Sequence, residues 1–317
     1  MPARRRFLAI AGLVCLALSG PVQAQVQAEV PRRVIVSFSI LADIASVIGG
    51  ERLDVTTLVP AGADAHMFQP TPGDAKALAR ADILISSGLN FEPWLDRLVT
   101  ASGFRGQWIV ASRGIRARSA AGHQHGSGDG HNHGPGAGGR ADDPHVWQDL
   151  RLMQQYVETI ATGLAGADPA HAAGYRSRAA AYRAELAALD AWATAEIETV
   201  ARAHRRVISQ HDAFGYLADR YLIEFMAPQG INTGSEASAE QVGRLVRQIR
   251  RSRVQAVFFE SIANPRLMEQ IAKEANVRLG GRLYSDALSP PGGEADSFLK
   301  MYRLNIVRLV EAMRRSS

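Results

Sequence analysis

DPAHAAGYRSRAAAYRAELAALDAWATAEIETVARA, residues 168–203, decides the fold. Asp168 is an N-cap residue, and Pro169 suits a first helical position, where the missing N–H is not needed. Beyond Gly174 no Gly or Pro interrupts the run. Tyr175, Ala179, Tyr182, Leu186, Leu189, Ala193, Ile197 and Val200 recur every three or four residues, which predicts one helix with one buried stripe. At 1.5 Å per residue it would be roughly 50 Å long, more than one compact domain needs. A core helix or coiled-coil seam would give the same stripe, but strands alternate with helices on both sides of it. The expectation is a long rigid connecting helix between two lobes.

Upstream, β-branched runs predict strands at 33–40, 53–59, 81–87 and 107–111, with helices at 41–48, 71–81, 93–101 and 148–164 between and after them. Downstream, strands are expected at 206–209, 223–227, 254–260 and 277–285, and helices at 213–221, 238–251, 265–275 and 295–314. Alternation at this spacing means parallel βα units. The fold class is therefore α/β, with about four parallel βα units in each of two lobes, at 31–167 and 204–317. The residues show no convincing repeat between the halves. Regularity stops at 118–142, a Gly- and His-rich loop centred on HQHGSGDGHNHG.

With 46% hydrophobic and 21% charged residues the chain can bury two cores and is not broadly disordered. The net charge is +5, but Arg4, Arg5 and Arg6 supply three of those units, so the remainder is near neutral and argues against a nucleic-acid partner. Those arginines precede the apolar run 7–18 and the small-residue end at Ala24, which reads as a signal peptide over 1–24. The run is too short for a membrane anchor, and Arg4-Arg5-Arg6-Phe7-Leu8 is similar to a twin-arginine signal. Cys15 is the sole cysteine and follows Leu13-Val14 rather than a small residue, so no lipid anchor is expected. The mature chain would be a periplasmic protein without thiols.

His66, His145, His211 and Asp286 each stand at or just beyond the C-terminal end of an expected strand, or open the segment after a loop there. In open parallel sheets that edge binds ligands. Two precede the long helix and two follow it, so a cleft between lobes would bring them together. Three imidazoles and one carboxylate form a nitrogen-and-oxygen set suited to zinc. The residues alone reach only a metal site, since one histidine is more often an ordinary hydrogen-bonded side chain. Glu260 and Asp143 are candidates to hold a ligand imidazole from behind. Trp147 is expected to shield the site. No phosphate-binding glycine loop, GxSxG or Cys-His pair occurs.

The segments GADAHMFQPTPGDAKALARADILISSGLNFEPWL, DPHVWQD, SQHDAFGYLADRYLI, VFFESIANPRLMEQIAKEANV and LYSDALS, taken in order, resemble the zinc- and manganese-binding solute receptors of bacterial ABC importers. The likeness spans essentially the whole mature chain. It implies two βα lobes on a helical backbone, with the metal in the cleft between them. It also implies that His66, His145, His211 and Asp286 are the four ligands. Manganese-type members carry a carboxylate where His211 stands, so the third imidazole points toward zinc. Some zinc-type members carry an acid just before the first ligand; Ala65 stands there here. His123, His125, His131 and His133 lie where zinc-type members often have a His-rich loop, and would form a second, weaker metal site. Asn90, Glu92 and Trp94 match family positions but read as packing and helix-start residues.

The implied function is a zinc receptor that delivers Zn²⁺ to an inner-membrane ABC permease and its ATPase, as a monomer, with a periplasmic metallochaperone as a further candidate partner. It would be no enzyme, because four protein ligands close the zinc's coordination whereas a catalytic zinc keeps a position for water. The alternatives are a manganese receptor, a zinc-dependent hydrolase with Glu260 as base, and a metal-dependent adhesin.

Overall fold

The computed structural model describes residues 30–119, 142–234, 237–252 and 254–314. The expected signal segment 1–24 and His123, His125, His131 and His133 lie outside the described residues. In the first half the strands are β1 (Arg32–Phe38), β2 (Leu53–Val59), β3 (Ile83–Ser86) and β4 (Gln107–Val110). Helices α1 (Ser39–Gly49), α2 (Pro72–Ala79), α3 (Leu95–Ser102) and α4 (Leu150–Ala167) connect or follow them. Helix α5 (Ala172–Glu198) leads to the second half: β5 (Arg206–Ile208), α6 (Gly215–Tyr221), β6 (Glu224–Met226), α7 (Ala239–Arg251), β7 (Ala256–Glu260), α8 (Arg266–Ala275), β8 (Leu279–Leu283) and α9 (Phe298–Arg314).

Each half builds a four-stranded sheet, ordered β2-β1-β3-β4 and β6-β5-β7-β8, and all the pairings are parallel. The same order in both halves is a structural repeat that the residues did not reveal. In each sheet the connection reverses direction between the first and third strands, and in open parallel sheets the C-terminal ends beside such a reversal are where ligands bind. The strands are apolar because helices cover them: β3 is buried throughout, as are the last five residues of β1.

Helix α5 buries the expected stripe, Tyr175, Ala179, Tyr182, Leu186, Leu189, Ala193 and Ile197, and Val200 is buried just beyond it. It packs on α1 and α4 of the first half and on α9 of the second. At about 1.5 Å per residue it is ~40 Å long, shorter than the 168–203 reading. The reason at its start is chemical. The Asp168 carboxylate accepts a hydrogen bond from Tyr175 Oη at 2.8 Å and lies 2.8 Å from His171 Nδ1, so it does not cap α5, and Pro169–His171 form a separate 3₁₀ turn. One large apolar core runs through both sheets and α5, and a smaller one lies beneath α7 and α8. Among the described residues no helix is long and apolar enough to cross a membrane.

Candidate metal centre

Four loops deliver the site. His66 follows β2, His145 precedes α4, His211 follows β5 and Asp286 follows β8. All four side chains are buried, and their ligand atoms lie within 4.8 Å of one another. Among the described residues this is the only such group. His66 Nε2 is 3.3 Å from His145 Nε2 and 3.5 Å from Asp286 Oδ2. Asp286 Oδ1 is 3.6 Å from His145 Nε2, and Oδ2 is 3.1 Å from His211 Nε2.

Each histidine is set by its own surroundings. The His66 N–H donates to Asp64 Oδ1 at 2.9 Å, and Asp64 Oδ2 accepts from Thr233 Oγ1 of the other half at 2.7 Å. Trp94 Nε1 donates to the Ala65 carbonyl at 2.7 Å, and the Phe91 ring meets His66 edge-on at 4.6 Å. Asp143 Oδ1 lies 2.8 Å from His145 Nδ1 and accepts the His145 N–H at 3.0 Å. Glu260 Oε1 accepts the N–H groups of Gln210 and His211 at 2.9 and 2.8 Å, while Oε2 stands 2.6 Å from His211 Nδ1. A carboxylate behind Nδ1 makes that nitrogen the donor and turns the Nε2 lone pair inward. Trp147, fully buried, donates from Nε1 to the Ser285 carbonyl at 2.8 Å, and Gln148 Nε2 donates to the same oxygen at 3.0 Å. These two bonds fix the segment that carries Asp286.

The centre therefore gathers lone pairs. Both oxygens of Asp286 and Nε2 of His211 are buried without a hydrogen-bond partner, an arrangement that is costly unless a cation or a proton lies among them. Burial works to raise the Asp286 pKa, but His145, His211 and His66 outweigh it and hold the carboxyl well below its ordinary range. Burial first, then the neighbouring His145 and His211, lower the His66 pKa despite the upward pull of Asp286. For His211 burial also opposes the charge, yet Glu260 and Asp286 prevail and its pKa stands well above 6.5. The site thus attracts positive charge, whether proton or metal.

Glu92, Trp94 and Asn90 take no place among these atoms: Glu92 braces a neighbouring loop and Trp94 the backbone before His66. Phe91, Asp64 with Thr233, and the groups behind Asp143 were not picked out by the sequence reading. Only the Asp-x-His spacing of Asp64 and Asp143 ahead of their histidines offered a signal.

The model of the ZnuA family, described as zinc-uptake complex component A, periplasmic, matches residues 34–312. The chain belongs to this family. It is 30% identical over 288 residues to the manganese-binding lipoprotein MntA of Bacillus subtilis (strain 168), covering 89% of this chain and 90% of that one. It is 27% identical to the manganese ABC transporter substrate-binding lipoprotein PsaA of Streptococcus pneumoniae, over 89% of this chain and 88% of the relative. Among solved structures, the periplasmic zinc-binding protein TroA of Treponema pallidum superposes with a TM-score of 0.80 at 25% identity, covering 89% of this chain and 99% of that one. The manganese-bound periplasmic metal-binding protein of Candidatus Liberibacter asiaticus gives 0.77 at 26% identity, with the same coverage.

The protein is accordingly a metal-binding solute receptor of an ABC importer, not an enzyme, and its partners are a membrane permease and its ATPase. One expectation is corrected. A periplasmic chain without a lipid anchor conflicts with relatives that are named lipoproteins. That expectation rested on Leu13-Val14 ahead of Cys15, a single local feature set against likeness over most of the chain.

Proposed function

We propose that the receptor carries Zn²⁺, held by His66 Nε2, His145 Nε2, His211 Nε2 and a carboxylate oxygen of Asp286. The observation that carries this reading is the third imidazole, His211, which makes the set richer in nitrogen than a manganese site prefers. Spacing supports it as well. Ligands about 2.0–2.1 Å from a tetrahedral zinc stand roughly 3.3 Å apart; His66 Nε2 to His145 Nε2, His66 Nε2 to Asp286 Oδ2 and His211 Nε2 to Asp286 Oδ2 measure 3.3, 3.5 and 3.1 Å, and the whole set of ligand atoms lies within 4.8 Å. Burial of all four residues favours a closed, fully protein-ligated ion over a catalytic one with a water position. Asp143 and Glu260 are the carboxylates that orient two of the imidazoles.

The manganese alternative draws on the names of MntA and PsaA. Equilibrium competition on the full chain, repeated without residues 122–134, separates the two readings. Zinc selectivity predicts one tight zinc that survives the deletion and resists a large excess of Mn²⁺. Displacement by comparable Mn²⁺ would establish the alternative, and zinc lost with the deleted segment would move the site to His123, His125, His131 and His133. In the present reading those four hold only weak additional zinc, a place where a metallochaperone could deliver it.

A further inference from the structure

Beside the Asp64–Thr233 bond and the bonds of Trp147 and Gln148 to Ser285, one further link between the two ligand-bearing halves is a cation outside the ligand set. Arg118 follows β4 and lies at the foot of the segment that leads to His145. Its Nη1 donates to Asp143 Oδ2 at 3.0 Å, and its Nε donates to Asp219 Oδ2 at 2.9 Å. Asp143, fully buried, uses its other oxygen on His145. Asp219 lies on α6, the helix that begins four residues after His211. A second link runs beside the first: Tyr216 Oη, also on α6, accepts the Arg118 N–H at 3.0 Å and donates to the Asp143 carbonyl at 2.9 Å. A Cβ added at Gly215 would overlap Arg118 Nη1 and fall 2.8 Å from Asp143 Oδ2, so this glycine makes room for the guanidinium.

We propose that Arg118 is a positioning residue that sets the rate of metal release, by locking the carboxylate that orients His145 to the helix that follows His211. The proposal rests on reading His145 and His211 as ligands. Charge supports it: leaving the exposed Asp219 aside, the formal charges of a divalent ion, of the buried Asp286, Asp143 and Glu260, and of the half-buried Arg118 sum to zero, and without Arg118 the sum is one negative charge. Shape supports it too, because a guanidinium fork engages two carboxylates at once while a lysine ammonium is a single point. With the lock intact, the imidazole of the first half and the ligand segment of the second move as one body. With it broken, His145 can leave the ion while the rest of the site stays in place.

The test uses the full chain and its Arg118→Ala, Arg118→Lys, Gly215→Ala, Asp219→Asn and His145→Ala variants. Zn²⁺ release into excess chelator is followed by stopped flow, and Co²⁺ visible bands report ligand geometry. Arg118→Ala is expected to release Zn²⁺ about tenfold faster or more and to shift the Co²⁺ bands, in keeping with loss of a group that supports a metal ligand. Gly215→Ala should reproduce this, and Arg118→Lys should not restore the parent rate. Asp219→Asn lies on the exposed side and should quicken release about threefold, the scale of an exposed ion pair, with the Co²⁺ bands unchanged. Release at the parent rate in Arg118→Ala overturns the lock; should that variant not fold, the parent rate in Asp219→Asn overturns it equally. Tight binding retained in His145→Ala would instead sink the ligand assignment.

Discussion

In the first half the buried Glu92, just past β3, accepts hydrogen bonds from Ser37 Oγ at 2.6 Å and from the N–H groups of Ser87 and Gly88 at 2.7 and 3.2 Å. In the second half Glu260, at the end of β7, accepts two N–H groups beyond β5 and turns its remaining oxygen to His211 Nδ1. Each carboxylate thus sits by the third strand of its sheet, where the strand order reverses, and ties that strand to the first strand or the chain after it. One braces backbone; the other also aims the His211 imidazole. Glu92 holds a loop in which Gly88, Leu89 and Asn90 all have positive φ, at 89°, 54° and 59°. For Leu89 that conformation costs roughly 1–2 kcal/mol. The brace is useful because the loop delivers Phe91 into T-shaped contact with His66. A repeated frame therefore does not repeat its chemistry. What decides is whether the chain beside the carboxylate presents a histidine or a serine.

The largest effect expected from this asymmetry falls on the imidazoles themselves. His66→Ala, His145→Ala and His211→Ala should each weaken tight zinc binding tenfold or more, on the order of 1.4 kcal/mol at the least. Parent affinity in all three, measured by chelator competition, would remove the ligand assignment. The carboxylates come next and should part company. Glu260→Gln leaves an acceptor for the backbone but takes the negative charge from behind His211, and is expected to lower zinc affinity about 10- to 100-fold. Glu92→Gln should leave affinity within about twofold and instead cost roughly 1–3 kcal/mol of stability in urea unfolding, through a mismatched buried hydrogen bond. Equal affinity losses in both variants would show that the halves are not divided in this way.

A smaller, graded effect follows from protons. In the metal-free protein the His211 pKa is raised by Glu260 and Asp286 against the pull of burial. Its contribution to stability is then fully present below 6.5, the unfolded value, and is lost as pH rises through the folded pKa. Zinc needs the neutral imidazole, so affinity should fall as pH drops through that same folded pKa, by up to about tenfold per unit for one proton. Calorimetry in buffers of different ionisation enthalpy should show close to one proton released per zinc near neutral pH. Zinc binding that releases none would mean that His211 is not the group displaced.

Much of this was legible in the sequence, for identifiable reasons. Apolar periodicity placed the strands and helices because parallel sheets covered on both faces demand continuous apolar runs. The four cleft residues stood out because strand ends mark the ligand edge, and whole-chain resemblance assigned them. The start of α5 was not legible, because Asp168 spends its side chain on Tyr175 and His171. Nor was the asymmetry of the two glutamates, or the Arg118 lock. Those depend on pairs such as Arg118 with Asp219 and Asp64 with Thr233, which lie far apart in the chain and carry no periodic signal. The strand order shared by the two sheets was not legible, since no convincing residue repeat marks it in the sequence.

Which atoms hold the ion is read most directly by X-ray absorption at the zinc edge of the stoichiometrically loaded chain, with and without residues 122–134. The expected shell is four-coordinate, with three imidazole nitrogens and one carboxylate oxygen at about 2.0–2.2 Å, the same in both chains. An oxygen-rich shell of five or six ligands, or one that changes when the segment is removed, would contradict it.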